Sequence, residues 1–95
     1  MNVYCISYDL NTSGQNYEAL HEELKSSPSW WHYLDSTWLI KTSENAGTLF
    51  NRLKKHLDDN DLILVIQVTR DYQGWLPEEA WKWIRANVTQ SVSTY

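Results

Sequence analysis

Asp9 is the residue in this chain best placed for chemistry. It closes an apolar run, NVYCISYDLN over residues 2–11, in which Val3, Tyr4, Cys5, Ile6 and Tyr8 have the β-branched, aromatic and small-apolar character of a strand. So apolar a strand belongs in the middle of a sheet. A carboxylate where it leaves the sheet can hold a ligand, or merely turn the chain through its own side chain. Asp35 and Ser36, at a break in a long aromatic stretch, and Asp58, Asp59 and Asp61, in a later turn, could join it. Oxygen ligands of this kind suit a hard divalent cation, Mg²⁺ or Mn²⁺. A cation held by Asp9 and Asp35 could activate water and stabilise charge on a phosphodiester, with Asp9 as the catalytic ligand. The competing reading is structural: Asp is an ordinary turn residue, and Asp58 and Asp59 are expected to face solvent.

Other chemistries find less support. His21, His32 and His56 fall on three different elements without ligand spacing. His21 and His56 read as solvated helix residues, while His32 could sit near the Asp35-Ser36 turn. Ser36 has no evident base beside it, and the isolated glycines make no phosphate-binding loop. Cys5 is the only cysteine, so no disulfide forms within the chain and no Cys/His zinc set exists; in an apolar strand it reads as a buried, inert thiol.

The elements that position these residues follow from periodicity and punctuation. After the turn 11–14, Tyr17, Leu20 and Leu24 repeat at helical spacing over residues 16–26, with Gln15 or Asn16 near the start and Glu18, Glu22 and Glu23 on the other side. Pro28 ends that helix. Residues 30–42, WWHYLDSTWLIKT, are too long for one ordinary strand and divide at Asp35-Ser36 into two, the second over 36–42. A second helix is expected over 46–57, with Leu49, Phe50, Leu53 and Leu57 inward and Arg52, Lys54 and Lys55 toward water. The run LILVIQV over 62–68 predicts a buried strand. Pro77-Glu78-Glu79 opens a last helix, with Trp81, Ile84 and Val88 along one face.

The order strand, helix, strand, strand, helix, strand, helix gives the expected fold class: α+β, ferredoxin-like βαββαβ with an additional C-terminal helix. Residues 1–88 form the domain, and residues 89–95 a flexible tail. In this topology the first strand lies between the third and the fourth. Asp9, Asp35, Ser36 and the 58–61 turn then meet at one rim, next to the start of the first helix.

Totals bound the function. A chain of 95 residues is one domain with a modest core. Six Trp and six Tyr point to a dimer seam or a stacking surface: Trp30, Trp31 and Trp75 could stack a base, or instead pack the core or the dimer seam. A net charge of −4 argues against a broad electrostatic grip on nucleic acid. With no signal peptide and no long apolar span, a cytoplasmic protein that binds no membrane is expected.

Three segments carry a family resemblance: VYCISYDLN, SSPSWWHYLDSTWLIKT and DLILVIQV. They resemble the small CRISPR-associated endonuclease that partners the spacer integrase. Tyr8-Asp9 matches the family's strand-ending Tyr-Asp, and Ser36-Thr37-Trp38 the segment that begins its third strand. The YDLN strand end and the DSTWLI segment are most similar to a SinR-like branch of short bacterial and phage proteins. Virulence-associated protein D, a ribonuclease toxin, is a more distant relative of the same shape. The resemblance implies a homodimer in which Asp9 of both protomers binds one shared metal ion. It departs where the family has basic residues after the aspartate: here stand Thr12-Ser13-Gly14-Gln15-Asn16 and then Glu18, Glu22 and Glu23, which repel a phosphate backbone. The family's C-terminal strand is also replaced by GWLPEEAWKWI, which reads as a helix. The expectation is therefore a module in phage–host conflict that binds nucleic acid, nucleotide or a partner protein, with the metal-dependent endonuclease as the alternative.

Overall fold

The computed structural model describes residues 1–12 and 17–89. The expected helix start at Gln15 or Asn16 and the tail residues 90–95 lie outside the described residues. Four strands and three helices alternate: β1 (Asn2–Asp9), α1 (Glu18–Lys25), β2 (Ser29–Leu34), β3 (Thr37–Thr42), α2 (Ala46–Lys54), β4 (Leu62–Gln67) and α3 (Glu78–Asn87).

The strands form one antiparallel sheet in the order β2-β3-β1-β4. β1 is central, as its composition requires: Ile6 pairs with Trp38 of β3 on one side and Val65 of β4 on the other. β2 and β3 form a hairpin through Asp35-Ser36, with an irregularity in the pairing between Trp31 and Leu34.

Side chains of a strand alternate between faces, so the sheet has two cores. On one face, Tyr4, Ile6, Tyr8, Trp38 and Ile40 meet Leu20 and Leu24 of α1 and Leu49 and Leu53 of α2. On the other, Val3, Trp31 and Leu39 meet Ala80, Ile84 and Val88 of α3. α3 is tied to the hairpin by hydrogen bonds from Trp83 Nε1 to Ser29 Oγ (3.0 Å) and from Tyr33 Oη to Glu79 Oε2 (3.1 Å). Trp31, a candidate for base stacking, is buried here, and its indole Nε1 has no partner.

The two helices of the first core are joined by a charge cluster. Arg52 of α2 donates from Nη1 to Glu23 Oε2 (3.0 Å) and the Glu23 carbonyl (2.8 Å), and from Nη2 to Glu44 Oε1 (2.9 Å) and Ser27 Oγ (3.1 Å). His56 Nε2 lies 3.0 Å from Glu23 Oε1. The expectation that Arg52 faces water therefore fails, as does that of a solvated His56. Helical spacing places Arg52 off the apolar stripe, and a neighbouring helix covers that side too. Phe50, expected inward, is instead 38% exposed beneath Lys54 Nζ.

The expectation of a buried strand at 62–68 is corrected on one face. Ile63 and Val65 pack against the first core, but Leu62, Leu64 and Ile66 are 63%, 56% and 54% exposed. β4 is an edge strand, and α3 lies over the β2 side of the sheet. No helix among the described residues is long and apolar enough to cross a membrane.

Candidate functional site

β1 ends at the same rim as the β2–β3 turn because the two are hydrogen-bonded there: the Tyr8 N–H donates to the Ser36 carbonyl (3.1 Å). Beside this contact lies a hollow of about 380 Å³, lined by Tyr8, Asp9, Leu10, Asn11, His21, Asp35 and Ser36. The structure thus brings Asp9, Asp35 and Ser36 to one concavity.

The third part of the expected rim is spent on structure. Asp61 Oδ1 accepts from Tyr17 Oη (2.7 Å) and from the Asn11 N–H (2.8 Å), and its Oδ2 accepts from the Asp58 N–H (2.8 Å). Burial alone would raise this carboxyl. The Asp58 N–H, the Tyr17 hydroxyl and the Asn11 N–H outweigh it and hold the group below the usual carboxylate range. Asp58 and Asp59 line a separate hollow with Phe50, Lys54 and Lys55.

His21 reaches the hollow from α1, so the reading of a solvated helix residue is corrected. Position 21 borders the apolar stripe, four residues after Tyr17 and three before Leu24. That spacing was the available signal. Trp38 Nε1 donates to Tyr8 Oη (2.9 Å), and Tyr8 Oη lies 3.3 Å from His21 Nε2. The donor in this contact depends on the imidazole tautomer: when His21 carries its proton on Nδ1, the Tyr8 hydroxyl donates to Nε2. Burial lowers the His21 pKa, and His32 and Lys25 lower it further, against Glu18 and Glu22. The Tyr8 phenol is raised by burial and, to a lesser degree, by Asp35, against the lowering effect of the Trp38 hydrogen bond. Both groups are therefore neutral at pH 7.

Aromatic rings back the hollow. The His32 ring stacks on Trp38 at 3.9 Å and 15°, and His32 Nε2 meets the Asp35 carbonyl at 3.0 Å. Trp30 tilts against Trp38 at 5.3 Å and is 39% exposed, so it retains an outward surface.

Asp9 also lines a second, shallower hollow of about 230 Å³ with Ser7, Leu62 and Leu64, at the end of the exposed strip of β4. It pairs with Leu62 across the β1–β4 ladder. Asp9 and Asp35 are among the residues that line the first hollow, and no Lys or Arg is, so its charge favours cations over a bare phosphate. No group of three or more His, Cys, Asp or Glu among the described residues of one chain is arranged to hold a metal ion. No family model, curated protein or solved structure matches the chain.

Proposed function

We propose that the protein is a symmetric dimer of ferredoxin-like domains that binds nucleic acid or nucleotide phosphate through a divalent cation held at Asp9. The strand order, with β1 between β3 and β4 and every neighbour antiparallel, supports the ferredoxin-like reading. One observation carries the rest: Asp9 lies both in the hollow with Asp35 and at the end of an uncovered apolar strip. A two-fold axis at the Leu62 end of that strip would bring two Asp9 carboxylates toward each other. Like charges so placed repel unless a cation lies between them. Two chains also supply the oxygen ligands that one chain lacks, from Asp9 and Asp35 of each, and such a set suits Mg²⁺ or Mn²⁺.

The cation gives an acidic surface a way to hold a phosphate. Without basic residues in the hollow to neutralise the backbone or the transition state, binding is favoured over cleavage. The endonuclease reading keeps one observation in its favour: a neutral imidazole, His21, lines the hollow beside Asp9.

The test is titration with Mg²⁺ and Mn²⁺ while following backbone amides by NMR. Selective shifts at residues 8–11 and 35–36, lost in Asp9→Ala, are expected. A uniform or absent response removes the proposal. Incubating both proteins with single- and double-stranded DNA and RNA then separates the two readings: cleavage by the wild type that the variant lacks establishes the endonuclease.

A further inference from the structure

Two apolar features stand uncovered on the same side of the sheet. The first is the outer strip of β4, Leu62, Leu64 and Ile66. β4 ends the sheet, yet its sequence LILVIQ carries no charge and no proline, the devices that usually blunt an edge strand. The second is Trp75, 99% exposed, in the segment 68–77 that joins β4 to α3. Val68 and Leu76, near the two ends of this segment, pack against the second core, on the face of the sheet that carries the strip. The segment is also braced midway. The Tyr72 ring stacks on Trp81 at 5.8 Å, and Gly74 lies beside the same indole, at ordinary contact distance. Trp75 therefore projects from a segment anchored on both sides of it.

The areas match what a second copy requires. A fully exposed indole offers about 250 Å² of contact surface, and with three half-exposed aliphatic side chains the total is on the order of 500 Å² per chain. Full coverage of these surfaces in both chains would bury about 1,000 Å², the threshold for a specific interface. A two-fold axis meets the geometric condition as well, since the strip and the ends of the segment that carries Trp75 lie on one face.

We propose that Trp75 of one copy packs on Leu62, Leu64 and Ile66 of a second, and reciprocally, across a two-fold axis. This contact rests on the dimer invoked above and specifies it. Because Asp9 pairs with Leu62, seating the indole on the strip sets the separation of the two Asp9 carboxylates.

Sedimentation velocity from about 1 to about 100 µM tests it, with Trp75→Ala and Leu64→Arg as variants. Both positions are exposed, so circular dichroism should match the wild type. The wild type should dimerise, and each variant should weaken the dimer by ~30-fold or more. Mixing the two variants should partly restore dimers, because one of the two reciprocal contacts is then intact. Trp75→Ala dimerising as tightly as the wild type overturns the contact. So does a monomeric wild type, and Leu64→Arg unfolding such a monomer would place the strip under other residues of the same chain. The amide titration reads the cation separately. A lost cation response beside an intact Trp75 effect removes the Asp9 reading alone, and the reverse removes this contact alone.

Discussion

His21 and Asp9 arrive at one hollow with opposite electrostatic histories. Asp9 is exposed at the end of a strand, whereas the His21 pKa is lowered by burial and, further, by His32 and Lys25. For a histidine whose folded pKa is lowered, the unfolded chain takes up a proton that the folded one refuses. Stability therefore rises with pH and is lost as pH falls below about 6.5, the ordinary histidine value. The His21 ring protons should titrate with a midpoint below that of a free histidine. Where the Tyr8 hydroxyl donates to Nε2 it favours the neutral ring, so the midpoint should move upward in Tyr8→Phe. An unchanged midpoint would assign the lowering to burial, His32 and Lys25 alone. Trp38→Phe tests the other end of the chain of bonds. Losing the indole donor to Tyr8, together with volume from a side chain only 1% exposed, should cost about 2–3 kcal/mol in chemical denaturation.

Among the elements, α1 and α2 meet through Leu20, Leu24, Leu49 and Leu53, and Arg52 of α2 adds an ion pair to Glu23 of α1. The His56 contact, followed by Arg52 and Lys55, holds the Glu23 carboxyl down at about 2. The Glu44 carboxyl is lowered too, chiefly by Arg52. A carboxylate with a depressed folded pKa contributes stability that is present above its unfolded value of 4.5 and is lost as pH falls toward about 2. Denaturant midpoints should therefore drop steeply across that interval in the wild type, and less steeply in Glu23→Gln. Arg52→Met leaves two half-buried carboxylates without their main partner and should cost about 2–4 kcal/mol at pH 7. Asn45→Ala, which removes the side-chain acceptor for the Thr48 N–H at 2.8 Å, should cost about 1 kcal/mol.

How much of this was legible in the sequence follows from the range of each signal. The strands and helices and the break at Asp35-Ser36 are local, and periodicity or turn chemistry announces them. The meeting of Asp9, Asp35 and Ser36 was legible because element order alone implies it. What escaped depends on contacts between elements distant in sequence. Arg52 lies off the apolar stripe of α2 and still faces Glu23, 29 residues away. LILVIQ is apolar at every position but its last, so the run alone could not reveal that one of its faces stays uncovered. His21 sits at the margin of a stripe, where spacing alone does not separate a solvated ring from one buried against Tyr8 and Trp38.

Across the whole molecule, charge decides what kind of nucleic-acid binding is open to it. A chain of net charge −4 whose candidate hollow lacks Lys and Arg can displace few counterions from a nucleic acid. If a cation bridges Asp9 to one phosphate, the salt dependence must be shallow, with log K falling against log salt at a slope of about −1 to −2 rather than the −6 or steeper of a many-contact basic surface. Chelation must then matter more than ionic strength. Fluorescence anisotropy with a labelled single-stranded oligonucleotide should show binding with Mg²⁺ or Mn²⁺ that EDTA abolishes and that a rise from about 50 to about 200 mM salt weakens by less than about 20-fold. Steep salt dependence that survives EDTA would place the contact on exposed basic residues such as Lys54, Lys55, Lys82 and Arg85 instead of on the carboxylate rim. The same assay on Leu64→Arg isolates the role of the proposed dimer. A monomer with its own Asp9 and Asp35 intact offers only half of the oxygen ligands, so its affinity for the cation, and with it for the oligonucleotide, should fall although no residue of the hollow has changed.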